Sequence, residues 1–341
     1  MKNTFFLTFI LFVQITFSQT NHLHHNSNDW NSSRPDGHAP ISVMGDHTHH
    51  KGGFMASFIN MDMTMNKMMM DDNLISNSEI FKNYMVSPNK MNMNMKMFGL
   101  MYAISNKVTI MSMFPLIEKD MFAVTKMGIP FSTSSRGLGD IKISAIYNFS
   151  KANKLLIVGQ LGVSFPTGGI NQMDITPSSK PNQSVLTYPM QLGSGSFELL
   201  SGLVINKQFN NFSFGVQPKI IVPLNNNNND YKNGSEISIL DWVSYKVSDW
   251  ISLSVSTKYQ HISKITGYDT RLDKMMTPSA NSINSGGKFF FYGIGSNFYV
   301  PKGKFKNLRF QIEFEIPLSV KYNGVQMSNE KTSIFGVQYS W

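Results

Sequence analysis

Methionine occupies alternate positions in one short stretch of the chain, residues 90–101, which reads KMNMNMKMFGLM. Successive side chains of a β-strand point to opposite faces, so residues two apart share a face. A strand would therefore place five thioethers on one side: Met91, Met93, Met95, Met97 and Met101. Thioethers are soft ligands that favour Cu(I) over hard cations such as Mg²⁺. The spacing predicts a strand with one face suited to a soft metal ion.

Other methionines belong to the same region, since eighteen of the 24 lie between Met44 and Met127. The segments on either side of residues 90–101 also alternate, and their methionines fall on the face opposite the apolar residues. The members predicted to join the patch are Met55, Met61 and Met63 before it and Met111 and Met113 after it. The intervening loop is expected to add Met65, Met68, Met69 and Met70.

Histidine is concentrated near the N-terminus, where seven of the eight histidines precede residue 51. Imidazole is a ligand for Cu(II). The sequence DHTHH at residues 46–50, beside Met44, is therefore predicted to capture a metal ion at the mouth of the barrel that the strands described below would form. The candidate ligands in this segment are His38, Met44, His47, His49 and His50. The alternative is a solvated exported segment whose histidines bind nothing.

From Gly53 to the end, the chain consists of alternating segments of about ten residues separated by turn-rich stretches. No helical pattern of comparable strength competes with them. The segments predict twelve β-strands, at residues 54–64, 91–104, 107–117, 139–149, 154–165, 196–208, 211–223, 236–247, 250–261, 287–299, 307–321 and 332–341.

The connections between the predicted strands alternate in length. Those after strands 2, 4, 6, 8 and 10 are short, and those after strands 1, 3, 5, 7 and 9 are mostly long and rich in Asn, Ser, Gly and Pro. Short turns at one end and long loops at the other are typical of outer-membrane β-barrels, whose short turns face the periplasm. A soluble β-sandwich gives no reason for this alternation.

The predicted strands have one apolar and one polar face. In the eleventh, Phe310, Ile312 and Phe314 alternate with Gln311 and Glu313. Apolar side chains facing lipid and polar side chains facing a lumen explain the pattern. The charged residues predicted to line the lumen are Asp140, Lys142, Glu198, Lys219, Lys258, Glu313 and Glu315. Both signs occur, so we expect these groups to pair across the lumen rather than to select an ion.

Both ends of the chain carry export signals. Lys2, the apolar run 5–17 and Ser18 are typical of a cleaved secretory signal peptide, and the run is too short for a confident membrane helix. At the other end, Phe335, Val337, Tyr339 and Trp341 share a face and resemble the signal that barrel assembly machinery recognises. The predicted divisions are a signal peptide at 1–18, a His-rich periplasmic segment at 19–52 and a barrel at 53–341.

Several longer segments resemble a known family. RGLGDIKISAIYNF at 136–149, followed by LGVSFPTGG at 161–169, is similar to the bacterial outer-membrane transporter family named for the MetA pathway of phenol degradation. HAPISVMGDHTHHKGGFM at 38–55 and YPMQLGSGSFELLSG at 188–202 resemble a methionine- and histidine-rich branch of that family. The resemblance covers most of the mature chain. It implies a barrel with a transport role and does not imply phenol as the substrate.

The composition excludes several function classes. The 341 residues include no cysteine, so disulfides, cysteine zinc sites and thiol catalysis are unavailable. The net charge is +9, yet only 15% of the residues are charged and no dense Lys/Arg cluster occurs, so nucleic acid is not an expected partner. No GxSxG motif is present, and His261 is the only histidine after residue 50, so the sequence predicts no enzyme.

Together these patterns predict an all-β, antiparallel, up-and-down transmembrane barrel of about twelve strands in the outer membrane of a Gram-negative bacterium. Its expected partners are outer-membrane lipid, the assembly machinery and a small solute, and no cofactor is required. Copper or silver is the sharper hypothesis for the solute. The alternatives are a porin-like channel for small hydrophobic or aromatic molecules and a structural barrel that transports nothing. Methionine also packs irregular apolar space, so simple filling of the lumen is a further explanation of the patch.

Overall fold

The computed structural model describes residues 30–341, so the predicted signal peptide and His22, His24 and His25 lie outside the described residues. Twelve long strands pair antiparallel with their sequence neighbours. They are β1 (Phe54–Met70), β2 (Val86–Ala103), β3 (Val108–Thr125), β4 (Ile141–Ser150), β5 (Leu155–Phe165), β6 (Glu198–Gln208), β7 (Phe212–Pro223), β8 (Glu236–Lys246), β9 (Ile251–Ile262), β10 (Gly287–Tyr299), β11 (Arg309–Tyr322) and β12 (Val325–Ser340). The sheet closes because β1 also pairs with β12. The predicted twelve-stranded barrel is confirmed.

Shorter elements occupy the connections. The strand Pro130–Leu138 pairs with the later half of β3, whereas β4 pairs with its earlier half, so two successive segments complete one side of β3. The remaining short elements are the strands Asn73–Ile75, Met173–Ile175, Gln183–Val185, Tyr231–Lys232 and Thr266–Gly267, the α-helix Asn77–Ile80, and the 3₁₀ helices Pro35–Gly37, Tyr188–Met190 and Pro278–Ala280. No helix among residues 30–341 has the length and hydropathy needed to cross a bilayer.

The two ends of the barrel differ in the length of their connections. The short-turn end is formed by residues 104–107, 151–154, 209–211, 247–250 and 300–308. The long-loop end carries residues 71–85, 126–140, 166–197, 224–235 and 263–286. The alternation expected from the sequence is therefore present, and the tight turn between β11 and β12 at Asn323 and Gly324 is the exception at the long-loop end.

Four strands extend further at the long-loop end than the sequence predicted: β1, β2, β3 and β12. The assignment of Met65, Met68, Met69 and Met70 to a loop is wrong, because these residues belong to β1 and pair with β12. The physical reason is that polar residues such as Asn66, Glu118 and Lys331 interrupt the apolar outer face of these extensions. The backbone hydrogen bonds between the strands continue although the regular apolar–polar alternation does not.

The outer wall of the barrel has an apolar belt. Its exposed side chains include Phe98, Leu100, Tyr102, Leu253, Val255, Phe310, Phe314 and Ile316. So large an apolar surface is unfavourable in water but suits the hydrocarbon of a membrane. Aromatic rings gather near the short-turn end, where Trp341 packs against Phe54 and Tyr339 with ring centroids 5.3 and 4.7 Å apart. Such girdles mark the membrane interface of outer-membrane barrels.

Residues 30–52 fold into the lumen at the short-turn end, and we call them the plug. Its N-terminal residue, Trp30, donates its backbone N–H to the carbonyl of Lys151 at 3.0 Å, and Gly52 donates to the carbonyl of Ala103 at 2.8 Å. Most plug residues between these two are buried. The described part of the predicted separate segment 19–52 therefore lies inside the barrel, because the polar lumen wall offers it hydrogen-bond partners that water would otherwise supply.

Candidate metal-binding site in the lumen

Amide side chains on the lumen wall hold the plug by its backbone. Gln217 on β7 donates its Nε2 to the carbonyl of Met44 at 2.9 Å. Gln311 on β11 donates its Nε2 to the carbonyl of Ala39 at 3.1 Å. These wall residues lie far apart in the sequence, so the plug is held from two sides of the lumen.

Arg309 at the start of β11 is the strongest anchor of the plug. Its guanidinium donates to the carbonyls of Ser32 and Arg34, the latter at 2.9 Å. The group is fully enclosed and lies 4.4 Å from the ring centroid of Tyr299. Because hydrogen bonds from a charged donor are stronger than neutral ones, this residue fixes where the plug enters the lumen.

The plug chain turns back on itself within residues 38–47. Val43 donates its backbone N–H to the carbonyl of Pro40 at 2.9 Å, which closes a turn. Asp46 Oδ2 accepts the backbone N–H of Ala39 at 3.0 Å, which ties the end of the loop to its beginning. The local sequence therefore delivers side chains from both ends of the loop to one place.

Two histidines flank one carboxylate at that place. His38 Nδ1 lies 3.3 Å from Asp46 Oδ2, and His47 Nδ1 lies 2.6 Å from Asp46 Oδ1. The imidazole centroids of His38 and His47 are 4.2 Å apart, and all three side chains are buried. Within residues 30–341, these three form the one group of His, Asp or Glu side chains whose potential ligand atoms all lie within 4.8 Å of one another.

The charge states in this cluster follow from its burial. Burial lowers the pKa of His38 to about 3, and the nearby Arg309 cation acts in the same direction. Burial acts to raise the pKa of Asp46, but the hydrogen-bonded imidazoles of His47 and His38 outweigh burial and hold this pKa well below its usual range. The carboxylate is therefore ionised at neutral pH. A neutral His38 beside a carboxylate offers metal ligands in the deprotonated state that binding requires.

His49 extends the cluster and His50 does not. The ring of His49 lies 4.8 Å from that of His47, and burial lowers its pKa to about 3. Its Nε2 is buried and finds no hydrogen-bond partner within the described residues. His50 is exposed at the edge of the plug. Of the four histidines predicted here as ligands, the structure thus brings His38, His47 and His49 together.

A cavity of about 50 Å³ joins this cluster to the methionine patch. It is large enough for an ion with an accompanying water molecule. Its lining includes four plug residues, His38, Met44, Asp46 and His47. The barrel contributes Met55, Met101, Met111 and Met113. Imidazole, carboxylate and thioether donors therefore line one shared cavity.

The methionines of β1, β2 and β3 form cross-strand rows along the lumen. The rows are Met55–Met101–Met111 nearest the plug, then Met61–Met95, Met63–Met93 and Met65–Met91–Met121, with Met97 and Met113 between the first two. At about 3.4 Å per residue, Met91 and Met101 lie about 34 Å apart along β2. With the tilt of roughly 40° that is usual in barrels, this is about 26 Å of height, comparable to the apolar belt of such barrels.

The far end of these rows opens into a lumen cavity of about 600 Å³. Met63, Met65, Met68, Met91 and Met121 line it. The predicted inward orientation of the methionines thus agrees with the structure, and the rows run from this cavity to the plug. We call the methionines of these rows, together with Met97 and Met113, the methionine ladder.

Charged residues also line the lumen, and some of them form ion pairs. Lys258 Nζ lies 2.7 Å from Glu315 Oε2, and Lys219 Nζ lies 3.5 Å from Glu236 Oε1. Lys142 and Glu198 line the cavity of about 600 Å³. The pairing expected from the mixture of signs is present for Lys258 and Glu315. Lys219 pairs with Glu236, which was not among the predicted lumen residues.

Two residues predicted to line the pore hold other parts of the chain instead. Asp140 is buried and accepts hydrogen bonds from the backbone N–H groups of Gly168 and Ser194 at 2.9 and 2.7 Å, so it holds the loop after β5. Glu313 is buried and accepts the backbone N–H of Ser42 at 3.0 Å, so it holds the plug. Both carboxylates face inward, but neighbouring chain segments already occupy the space in front of them.

The position of the plug inside the lumen was not predicted. Asp46 was predicted only as part of the metal-capturing segment 46–50 and not as the centre of the cluster. The sequence offered one indication of the plug, namely polar residues at inward positions near the short-turn end. Ser213, Gln217, Arg309 and Gln311 are examples, and all four are buried in the structure. Buried polar groups need hydrogen-bond partners, so this wall required either water or another chain segment.

Comparison with known proteins gives no match by sequence, either to a family model or to a curated protein. Solved structures are similar in fold. The COG4313 outer membrane channel from Pseudomonas putida F1 superposes with a TM-score of 0.60 at 12% identity, over 88% of this chain and 100% of that chain. The fold is that of an outer-membrane β-barrel. The resemblance to the family named for the MetA pathway has no matching family model, so it stays a prediction.

More distant likeness extends to two autotransporter barrels. The beta domain of the Bordetella autotransporter BrkA has a TM-score of 0.45 at 9% identity, over 85% of this chain and 100% of that chain. The translocator domain of autotransporter NalP from Neisseria meningitidis has a TM-score of 0.44 at 9% identity, over 86% of this chain and 90% of that chain.

Proposed function

We propose that this protein is an outer-membrane channel of a Gram-negative bacterium, exported by a signal peptide, that carries a soft metal ion, copper or silver, as its substrate. The observation that supports this proposal is the methionine ladder, which connects the cavity of about 600 Å³ with the donor cluster of the plug. The similar barrel from Pseudomonas putida F1 is an outer membrane channel, which fits the general class.

The chemistry of the ladder suits passage rather than storage. Conduction requires several sites that bind an ion yet release it. Thioethers are uncharged, so each one attracts Cu(I) or Ag(I) by its polarisable sulfur without the ion pairing that a carboxylate adds. Residues two apart on one face of a strand are about 7 Å apart. Met113 and Met97 fill the longer gap between the first two rows, so an ion passes along the ladder in short steps.

The test replaces Met91, Met93 and Met95 together by leucine. Leucine is close to methionine in volume, so the change removes sulfur at little cost in packing. We expect lower accumulation of silver or copper by the cells, with unchanged barrel assembly. The matched control carries leucine at three methionines that are exposed at the long-loop end: Met127, Met173 and Met275. Equal metal accumulation in the wild type and in the ladder variant would contradict the proposal, and absence of conductance in planar bilayers would favour a structural barrel.

A specific observation supports a second candidate, a channel for small hydrophobic molecules. A mostly apolar cavity of about 440 Å³ lies at the long-loop end and is lined by Phe131, Leu186, Leu272 and Ala280, among others. Ligand pockets for small apolar molecules have this size and lining. Filling the cavity with Ala280→Trp would lower uptake of a small aromatic compound such as naphthalene if this second function is correct, and would leave silver accumulation unchanged.

A further inference from the structure

We propose that the plug contains its own site for a divalent copper ion, formed by His38, Asp46 and His47, and that this ion fixes the loop 38–47 across the lumen. The inference goes beyond the proposed function, because the ion enters this site from solution as Cu²⁺ and involves no oxidation of the monovalent ion that the ladder carries. It differs from that function in ligand type and oxidation state, because the ladder offers only thioethers to a monovalent ion.

The distances within the cluster fit a shared ion. Metal–nitrogen and metal–oxygen bonds are about 2 Å long, so neighbouring donors around one ion are about 3 Å apart. The separations of Asp46 from His38 and His47 are 3.3 and 2.6 Å. An ion can replace the two hydrogen bonds with little movement of the side chains.

A second observation points to a ligand at the same place. The Nε2 of His49 is buried and has no hydrogen-bond partner within the described residues, and its ring adjoins that of His47. Buried polar atoms without partners are rare in folded proteins. The cavity of about 50 Å³, whose lining includes His38, Asp46 and His47, supplies space for an ion and for a water ligand.

The donor set selects among ions. Two imidazoles and one carboxylate suit divalent first-row metals, and among these Cu²⁺ forms the most stable complexes with such ligands. The ionised carboxylate offsets one of the two charges of the ion within a buried site. Ag⁺ and Cu⁺ prefer the thioethers on the barrel side of the same cavity, so the two oxidation states have separate ligands.

Occupancy of this site has a structural consequence for the plug. His38 begins the loop, and Asp46 and His47 end it, so one ion links its two ends. Between those ends, Glu313 and Gln217 hold the loop to opposite parts of the lumen wall. A loop closed by the ion cannot open into an extended chain without first releasing the metal.

The experiment adds Cu²⁺ to the refolded protein and records electron paramagnetic resonance spectra. The background carries His22→Gln, His24→Gln and His25→Gln, so that copper bound by those three imidazoles does not obscure the signal. We expect nitrogen hyperfine coupling from imidazole ligands. We also expect His38→Gln with His47→Gln to weaken Cu²⁺ binding more than about tenfold. The matched control is His50→Gln, which removes an exposed imidazole of the same plug and leaves the affinity unchanged.

Hydrogen exchange of residues 38–47, measured with and without Cu²⁺, tests the fixing of the loop. Exchange slows on copper addition in the background protein and does not change in the double variant. Unchanged copper affinity in the double variant, or unchanged exchange in the background protein, overturns the proposal. If the double variant does not assemble, Asp46→Asn takes its place. Copper bound at the plug together with normal silver accumulation in the ladder variant would retain this site and overturn the proposed transport function instead.

Discussion

Arg309→Met should release the plug without opening the barrel. The guanidinium donates to the carbonyls of Ser32 and Arg34 from a fully buried position. Each hydrogen bond to a charged group contributes about 1.5–3 kcal/mol, so loss of both should weaken plug docking by at least about 3 kcal/mol. Since about 1.4 kcal/mol corresponds to a tenfold change, the undocked fraction should rise by roughly 100-fold.

Cysteine labelling measures this fraction directly. The chain has no cysteine, so Ala39→Cys introduces a single thiol at a position that is 2% exposed in the docked plug. A maleimide reaches that thiol only when the plug opens, so the labelling rate follows the undocked fraction. We expect labelling to be roughly 100-fold faster in Arg309→Met, and the single-channel conductance in planar bilayers to increase.

The control is Arg136→Met, the same substitution at an exposed arginine that pairs with Glu118 on the outer wall. It should leave both labelling and conductance unchanged. If Arg309→Met labels within about threefold of the wild-type rate while remaining a folded, heat-modifiable barrel, the energetic role assigned to Arg309 is refuted.

Three further substitutions test other contacts. Gly336→Leu should also undock the plug, because a Cβ at this position would lie 2.1 Å from Ile41 Cδ1. The overpacking should cost about 1–3 kcal/mol. Slow labelling of Ala39→Cys in this variant would contradict the close packing of Ile41 against β12. Asp140→Ala removes hydrogen bonds to the loop after β5, so proteinase K should cut within residues 166–197 faster; an unchanged cleavage rate would show that other contacts hold this loop. Trp341→Ala should slow assembly of the barrel, as measured by the heat-modifiable band over time after induction, and normal assembly would argue against the predicted terminal signal.

Much of the barrel could be predicted from local sequence, because its signal has a period of two residues. Side chains of Phe98, Leu100 and Tyr102 must face lipid, so their neighbours on β2 must face the lumen. The alternation correctly orients every methionine of the ladder except Met65 and Met121. These two lie in the extensions of β1 and β3, where polar residues interrupt the apolar outer face while backbone pairing between the strands continues.

The central part of each strand, the alternation of loop lengths, the direction of most ladder methionines and the types of ligand in the histidine segment are predictable from local sequence. The position of residues 30–52 inside the barrel, and the meeting of His38, Asp46 and His47, depend on the tertiary structure. The reason is that the contacts that hold the plug join residues far apart in the sequence. Gln217 holds Met44 from 173 residues away, and Gln311 holds Ala39 from 272 residues away. A segment without periodicity takes its position from such distant partners, which become neighbours only when β12 pairs with β1 and closes the barrel.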